Sequence, residues 1–284
     1  MSAVTPQLVK ELRDRTGVGM GKCKEALEQV GGDLEKAIDF LRKSGMASAV
    51  KKEGRETKEG RIGFGESELA IGVVEINAET DFVVKNDRFL DLVDQLAIQV
   101  ATTCPDSLEQ LLQQPYRGDP SFSVEEYRSN LVQTIGENIR IRRLAVFPKK
   151  AAHSLGIYSH MGGKLVTVVE LSGHAGEHGL AKEIAMHAAA SAPDYLKPEQ
   201  VPTDVLEREK SVAREQVAGK PPQIVEKIVE GKIKAFLDAI CLECQKFIRD
   251  DSLTVKELVQ KRSKELGGVP LQLTHFMRWG VGQG

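Results

Sequence analysis

An internal repeat limits the fold of this chain more than any other feature of its sequence. Residues 73–77 (VVEIN) resemble residues 168–172 (VVELS), and residues 92–105 (LVDQLAIQVATTCP) align without a gap on residues 180–193 (LAKEIAMHAAASAP). Each copy combines a strand-like apolar run with a segment of helical periodicity. We therefore predict an α+β protein whose core consists of two related α/β halves, each with strands packed on helices.

The two copies differ in the length of the connection between strand and helix. Glu75 and Leu92 lie 17 positions apart in the first copy, whereas Glu170 and Leu180 lie only 10 apart in the second. The first copy thus has seven additional residues, in the region of residues 80–83 (TDFV). Because the second copy lacks a counterpart, packing does not require these residues, and we predict that they bind another protein.

A packing role for the same loop is the alternative. Phenylalanine is usually buried and an unpaired aspartate is costly to bury, so Phe82 would be a core anchor and Asp81 a turn residue. The comparison of the copies weakens this interpretation, because the second copy needs no such anchor. We therefore favour an exposed loop.

The second copy contains an insertion of its own, over about residues 203–245. Two helical stretches within it meet at Gly219-Lys220-Pro221-Pro222. Because glycine and proline interrupt helices, this pattern predicts a helical hairpin that projects from the core.

Glycines divide the N-terminal segment into three short helical stretches, which end at Gly17, at residues 31–32 and at Gly45. Their apolar spacing predicts a small three-helix bundle. The charged stretch of residues 51–61 contains no large apolar side chain, which is typical of a linker. The predicted domains are the bundle (1–50), the linker (51–60), a first core half (61–152) and a second core half (153–284).

Composition excludes several functional classes. The 284 residues have a formal net charge of −2, so no overall positive field would attract nucleic acid. Residues 1–10 lack the apolar core of a signal peptide, and no apolar run approaches the length of a membrane span. The four cysteines show no regular spacing, which excludes a disulfide framework. We expect a cytoplasmic protein.

One enzymatic alternative rests on residues 174–178 (HAGEH), which match the H-x-x-E-H zinc motif. This motif requires a helix, on which its two histidines share one face. Glycine stands at positions 173, 176 and 179, and each glycine costs a helix about 1 kcal/mol. We therefore favour a solvated turn over a zinc hydrolase that would use His174, Glu177 and His178.

Cys241 and Cys244 form a C-x-x-C pair, which is a second candidate for metal or redox chemistry. A zinc site with four thiolates would need a second pair, and the sequence has none. The pair is predicted to lie within an apolar helical run that includes Phe236, Leu237 and Ile240. We therefore interpret the two thiols as buried and structural.

Two stretches closely resemble the bacterial elongation factor Ts family, the first in two parts, 12–20 (LRDRTGVGM) and 22–27 (KCKEAL), and the second over 75–83 (EINAETDFV). Two further segments, 135–139 (IGENI) and 184–187 (IAMH), are similar to it. The resemblance implies a guanine-nucleotide exchange factor for elongation factor Tu. Such a protein promotes GDP release during translation elongation by disturbing the partner's magnesium and phosphate site, and it is not an enzyme and needs no cofactor or metal.

The resemblance also implies which residues contact the partner. The N-terminal bundle would be a module similar to a ubiquitin-associated (UBA-like) domain, placed on the partner's nucleotide-binding domain, while the loop would reach the magnesium and phosphate site. Carried over residue by residue, the partner-binding positions are Arg13 and Met20 in the bundle, Thr80, Asp81, Phe82 and Val83 in the loop, Ile135 and Gly136 in the same half, and His160 in the second half.

The implied partner is elongation factor Tu, both GDP-bound and nucleotide-free, with no direct contact to nucleic acid or membrane. The insertion over about residues 203–245 is similar to the family's dimerisation element, which implies a homodimer. Some members carry a further helical tail beyond the position of Gly284, and we assume none of its contacts. A passive adaptor that uses only the N-terminal bundle is the binding alternative, and it would leave the partner's rate of GDP loss unchanged.

Replacement of His174 and His178 by alanine tests the zinc alternative. Because glycine interrupts the motif, we expect GDP-release activity within a few-fold of wild type and no stoichiometric zinc in a metal analysis of the purified protein. Zinc that is bound at one equivalent and lost in the double variant would contradict this prediction.

Overall fold

The first half of the chain places three helices before an antiparallel sheet. The computed structural model describes residues 4–217 and 221–283. The sheet has β2 in the centre, between β1 and β5. In chain order the elements are α1 (Pro6–Thr16), α2 (Met20–Gln29), α3 (Leu34–Lys52), β1 (Glu59–Glu66), β2 (Ala70–Ala78), α4 (Asp81–Val84), α5 (Asp87–Thr103), α6 (Leu108–Gln113), β3 (Pro115–Tyr116), β4 (Asp119–Ser123), α7 (Val124–Ile135) and β5 (Ile139–Pro148).

The second half builds a sheet of the same kind, in which β7 lies between β6 and β10. Contacts divide the chain into two compact units, Met1–Pro148 with Gly280–Gly284, and Lys149–Trp279. The predicted α+β class is confirmed. In chain order the elements are β6 (His153–His160), β7 (Leu165–Ser172), α8 (His178–Ser191), α9 (Thr203–Glu215), α10 (Pro222–Ile240), β8 (Lys246–Phe247), β9 (Asp250–Thr254), α11 (Val255–Glu265) and β10 (Gln272–Gly280).

The repeat extends beyond the segments that the sequence comparison identified. In each half a two-stranded hairpin (β3–β4 or β8–β9) leads into a helix (α7 or α11) and then a sheet strand. Asp119 and Asp250 close the two hairpin turns in the same way, because each accepts hydrogen bonds from the N–H and the hydroxyl of a serine two residues later. Both helices begin with a capping box.

Buried polar side chains at equivalent positions attach each hairpin to its helix. In α5, Gln99 accepts the N–H of Arg117 at 2.9 Å. In α8, His187 accepts the N–H of Ile248 at its Nδ1 (3.3 Å) and contacts Gln245 through Nε2 (3.0 Å). Burial lowers the pKa of His187, which keeps the ring neutral and able to accept. The two halves are therefore versions of one structural unit.

In each half the main helix (α5 or α8) lies in direct backbone contact with the sheet where the strand carries a glycine. A Cβ added to Gly72 would lie 2.4 Å from the backbone nitrogen of Ala101 in α5. A Cβ added to Gly156 would lie 2.1 Å from the backbone nitrogen of Lys182 in α8. Any side chain at these positions would push the helix away from the sheet, so glycine sets the spacing of both layers.

The third N-terminal helix is longer than the glycine pattern predicts. It continues through Gly45 to Lys52, so the segment predicted as a linker (51–60) joins α3 to β1 only through its central residues. A Cβ on Gly45 would lie 3.2 Å from the Oε1 of Gln133 in α7, and Ala49 contributes to the core of the first half. Packing against α7 therefore overrides the weak helix propensity of glycine.

The insertion in the second half forms α9 and α10, which share a small apolar cluster around Ala213, Val217 and Val229. Of the predicted turn, Gly219 and Lys220 lie outside the described residues. Within residues 4–217 and 221–283, neither these two helices nor any other has both the length and the apolar character to span a membrane.

The insertion ends at Ile240, earlier than the predicted position of about 245. Leu242 is fully buried in the core of the second half. Gln245 contacts the buried His187 and donates to the carbonyl of Ala239 at 2.6 Å. Residues after Ile240 therefore belong to the repeated unit.

Gly156→Ala tests the close contact between helix and sheet. The added methyl group should lower the free energy of unfolding by about 1–3 kcal/mol, because it overpacks a backbone contact. Urea unfolding followed by circular dichroism measures this change. Gly179→Ala is the control, because Gly179 lies in α8, the helix that Gly156 of β6 contacts, and has open space around its Cα; this variant should have no destabilising effect. An equal loss of unfolding free energy in both variants would contradict this account of the contact.

Replacement of residues 204–238 by a short flexible linker tests the boundary of the insertion. The core clusters of the two halves include no residue from this range, so the free energy of unfolding should change by about 1 kcal/mol or less. A deletion extended through residue 245 should cost about 3 kcal/mol or more, because it removes the buried Leu242. Thermal unfolding of both variants measures these changes. Similar stabilities would show that the insertion does not end at Ile240.

Candidate partner-binding site

The additional residues of the first half form a single helical turn with an exposed phenylalanine. Thr80 caps the turn, since its Oγ accepts the N–H of Val83 at 3.4 Å. Val83 and Val84 are buried in the core of the first half, so the expectation that packing requires none of residues 80–83 is wrong at Val83. Phe82 lies between them and the cap, and its side chain is 81% exposed. The alternative that Phe82 anchors the core is therefore wrong, because the two valines have that role.

A charged pair lies beside the exposed ring. The Oδ2 of Asp81 accepts a hydrogen bond from the Nζ of Lys85 at 2.7 Å, one helical turn later. This hydrogen bond lowers the pKa of Asp81 and raises the pKa of Lys85, so both groups are charged at neutral pH. Because the pair is exposed, it contributes little to folding and remains available to a partner.

The connection between α7 and β5 lies directly behind this turn. The carboxylate of Glu137 accepts the N–H of Thr80 at 3.1 Å and its hydroxyl at 2.9 Å. Ile135 packs on the core of the first half, and Gly136 ends α7 with a φ of 94°. The structure therefore brings Ile135 and Gly136, predicted from a separate segment, to the same place as residues 80–83.

The N-terminal bundle is attached to the same end of α7. Lys52 donates from its Nζ to the carbonyl of Val132 at 3.1 Å, and Lys22 donates to the carbonyl of Gln133 at 3.4 Å. The carbonyl of Val132 also accepts the N–H of Gly136, at 3.0 Å, and a cation at this end of the helix interacts favourably with the negative end of the helix dipole. Hydrogen bonds to the carbonyls of Val132 and Gln133 therefore hold the bundle beside the loop.

Arg13 and Met20 lie on the surface of this bundle. Arg13 is exposed in α1, and Met20 is 50% exposed at the first position of α2. Gly17, between them, adopts a φ of 68° and ends α1. Its carbonyl accepts a hydrogen bond from Arg88 of α5 at 3.3 Å, which ties this surface to the first half.

His160 belongs to the second unit, where it ends β6. Its ring is exposed, and its Nδ1 lies 3.0 Å from the hydroxyl of Tyr158. The next residue, Met161, has a φ of 47° and a side chain that is 75% exposed. An exposed methionine thus stands next to His160 at the tip of this hairpin.

The zinc motif does not form a metal-binding helix. The helix α8 begins at His178, so His174 precedes it and cannot share a helical face with His178. Both carboxylate oxygens of Glu177 are bound by Arg262 at 2.9 and 3.0 Å, which lowers the pKa of Glu177. Glu177 is buried, so the expectation of a wholly solvated turn is wrong at this residue. Among residues 4–217 and 221–283, no three His, Cys, Asp or Glu side chains are grouped to hold a metal ion.

The cysteine pair lies just beyond α10, not within it as predicted. Cys241 follows the last residue of the helix and is buried, and Cys244 ends a short 3-10 turn. Burial raises the pKa of Cys241 to about 12 and also raises the pKa of Cys244. Both thiols are therefore protonated at neutral pH, which favours a structural role over metal or redox chemistry.

Several contacts that shape this surface were not predicted from the sequence. Glu137 and Thr80 are 57 positions apart, and no sequence pattern pairs them. The same holds for Lys22 and Lys52 at the end of α7. Met161 does carry a signal, because the two glycines that follow it indicate an exposed hairpin turn.

Comparison with known proteins matches the whole chain to one family. A family model described as "Elongation factor TS" matches residues 79–283. The chain is 59% identical over 283 residues to elongation factor Ts of Protochlamydia amoebophila, with 100% of both chains covered. It is 47% identical to elongation factor Ts of Chlamydia muridarum and 43% identical to that of Chlamydia felis, each over 282 residues, which cover 99% of this chain and 100% of the relative.

Proposed function

The chain belongs to the elongation factor Ts family, and we propose that it binds elongation factor Tu and promotes GDP release by disturbing the magnesium and phosphate site of that partner. The observation that carries this proposal is the exposure of Phe82, at 81%, on a turn that is anchored to the core. GDP is held largely through its phosphates and magnesium, so a group that displaces their ligands weakens binding efficiently.

Magnitudes indicate that Phe82 does not act alone. Inverting a strongly biased equilibrium requires about 5.5 kcal/mol of differential binding. Burial of one phenylalanine supplies only about 1.5–3 kcal/mol. Other contacts must therefore hold the partner while the turn enters its site. We assign this gripping role to Arg13 and Met20 of the bundle, to Ile135 and Gly136 beside the turn, and to His160 in the second unit.

The charged pair next to Phe82 suits an intruding turn. The carboxylate of Asp81 is ionised, so it would repel phosphate oxygens that lie close to it in the complex. Coupling between two ligands is reciprocal, so the affinity that GDP loses in the complex equals the affinity that the exchange factor loses when GDP is bound.

Four parts of the functional assignment stay predictions. The role involves no covalent chemistry, so the protein is not an enzyme. The location is the cytoplasm, where translation takes place. Residues 1–50 act as a distinct UBA-like gripping module. The helices α9 and α10 mediate a homodimer.

Titration of two alanine variants separates gripping from intrusion. Release of fluorescent GDP from elongation factor Tu gives a saturating rate and a half-saturation concentration for each variant. Phe82→Ala should lower the saturating rate on the order of tenfold or more, because a truncated hot spot costs about 2 kcal/mol. Arg13→Ala should raise the half-saturation concentration and leave the saturating rate nearly unchanged.

Phe64→Ala is the matched control for loss of an exposed aromatic ring. Phe64 lies on β1 and is 45% exposed, outside the proposed site, so its variant should behave as wild type. If Phe82→Ala changes only the half-saturation concentration, Phe82 merely grips the partner. If wild type does not accelerate GDP release at all, the proposed function itself is wrong.

A further inference from the structure

The strand that leads into the exposed turn is held by an unusual pair of carboxylates. Backbone pairing between β2 and β5 ends where Ala78 lies opposite Ile139. Beyond this pair, side chains replace backbone carbonyls as acceptors. The Oε1 of Glu79 accepts the N–H of Asn138 at 2.6 Å, and the Oε2 of Glu137 accepts the N–H of Thr80 at 3.1 Å. Each of the two glutamates thus accepts a backbone N–H from the opposite segment, and these two hydrogen bonds extend the pairing of the strands beyond Ala78 and Ile139.

Glu137 also acts on the cap of the turn. The hydroxyl of Thr80 donates to the Oε1 of Glu137 at 2.9 Å. A hydroxyl has a single hydrogen, so this bond leaves its lone pairs free to accept, and one of them accepts the N–H of Val83 at 3.4 Å. Glu137 therefore sets the orientation of the group that caps the turn.

The turn depends on such external contacts for its shape. The helix α4 spans only Asp81–Val84, and a helix of one turn has no stability of its own in water. Its C-terminal end is fixed by the burial of Val83 and Val84. Its N-terminal end is fixed by Thr80, and hence by Glu137. Phe82 lies between these two anchors with its ring exposed.

We propose that Glu137 is a positioning residue for nucleotide exchange: it holds Thr80, and through Thr80 it presents Phe82 in the orientation that enters the partner. This inference rests on the proposed function. Without the carboxylate, Phe82 remains exposed but samples several orientations. Intrusion then carries an entropic cost, whereas the gripping surfaces elsewhere keep their contacts.

The direct test titrates Glu137→Ala in the fluorescent GDP-release assay with the full chain. We expect the saturating rate to fall on the order of tenfold, equivalent to about 1.4 kcal/mol, with a half-saturation concentration within a few-fold of wild type. Glu137→Gln keeps one oxygen acceptor and should lie between alanine and wild type.

Glu126→Ala is the matched control. Glu126 lies at the opposite end of α7, where its carboxylate accepts the N–H of Ser123 at 2.7 Å. This variant therefore also removes a carboxylate bonded to a backbone amide, and it affects the stability of the same helix without touching the turn. If the two alanine variants lower the saturating rate equally, Glu137 has only a structural role and the inference is overturned.

A double-variant cycle with Phe82→Ala identifies the route of the effect. If Glu137 acts through Phe82, Glu137→Ala should not lower the saturating rate further once the ring is absent. If the double variant loses the product of the two single fold-losses in saturating rate, Glu137 acts independently of Phe82 and the inference is overturned. A wild type that is active, with a slow Phe82→Ala and an unaffected Glu137→Ala, would refute the inference and leave the proposed function intact.

Hydrogen exchange of the free protein gives a readout that does not require the partner. In Glu137→Ala, the amides of Thr80 and Val83 should exchange at least several-fold faster than in wild type, since Thr80 loses its acceptor and the hydroxyl that accepts the N–H of Val83 is no longer oriented by the carboxylate. The same amides should be unchanged in Glu126→Ala. Unaltered protection in Glu137→Ala would mean that the turn is held without the carboxylate.

Discussion

The backbone contact between helix and sheet at glycine positions is the constraint on which the rest of this structure depends. At Gly72 and Gly156 an added Cβ would lie only 2.4 and 2.1 Å from helix backbone nitrogens. This close approach sets the position of each central helix on its sheet. In the first half it also holds β2, whose C-terminal end leads directly to Thr80. The orientation of the exposed turn therefore depends on a contact made by residues that have no side chain.

A carboxylate buried at the same repeat position in each half adds a second constraint. Glu75 in β2 accepts a hydrogen bond from the Nε of Arg143 at 2.7 Å and from the N–H of Gly282 at 2.8 Å, which ties the C-terminal residues to the first unit. Glu170 in β7 accepts from the Nζ of Lys150 at 3.2 Å. Burial alone would raise the pKa of Glu170, but hydrogen bonds from its basic neighbours outweigh burial and lower it. Each central strand thus carries a buried carboxyl group that is paired with a basic side chain.

The elements to which we assign binding are mainly those in which the two halves differ. Both halves share the sheet, the main helix, the capped helix and the hairpin. The first half adds the turn that exposes Phe82, and the second adds α9 and α10. The repeated frame itself requires neither addition, because each half folds without the addition of the other, although Val83 and Val84 of the turn pack into the core of the first half. A shared frame with separate additions is consistent with binding surfaces that are built on a fold without determining it.

The sequence by itself determined the repeat, the α+β class and the position of the additional loop, because these depend on periodicity and on the spacing of neighbouring residues. Only the tertiary structure decided that α3 continues through Gly45, that Phe82 is exposed while Val83 is buried, and that Glu137 holds Thr80. Each of these outcomes is a contact between segments far apart in the chain. Local preferences of about 1 kcal/mol, such as that of glycine against a helix, do not predict such contacts, because long-range packing outweighs them.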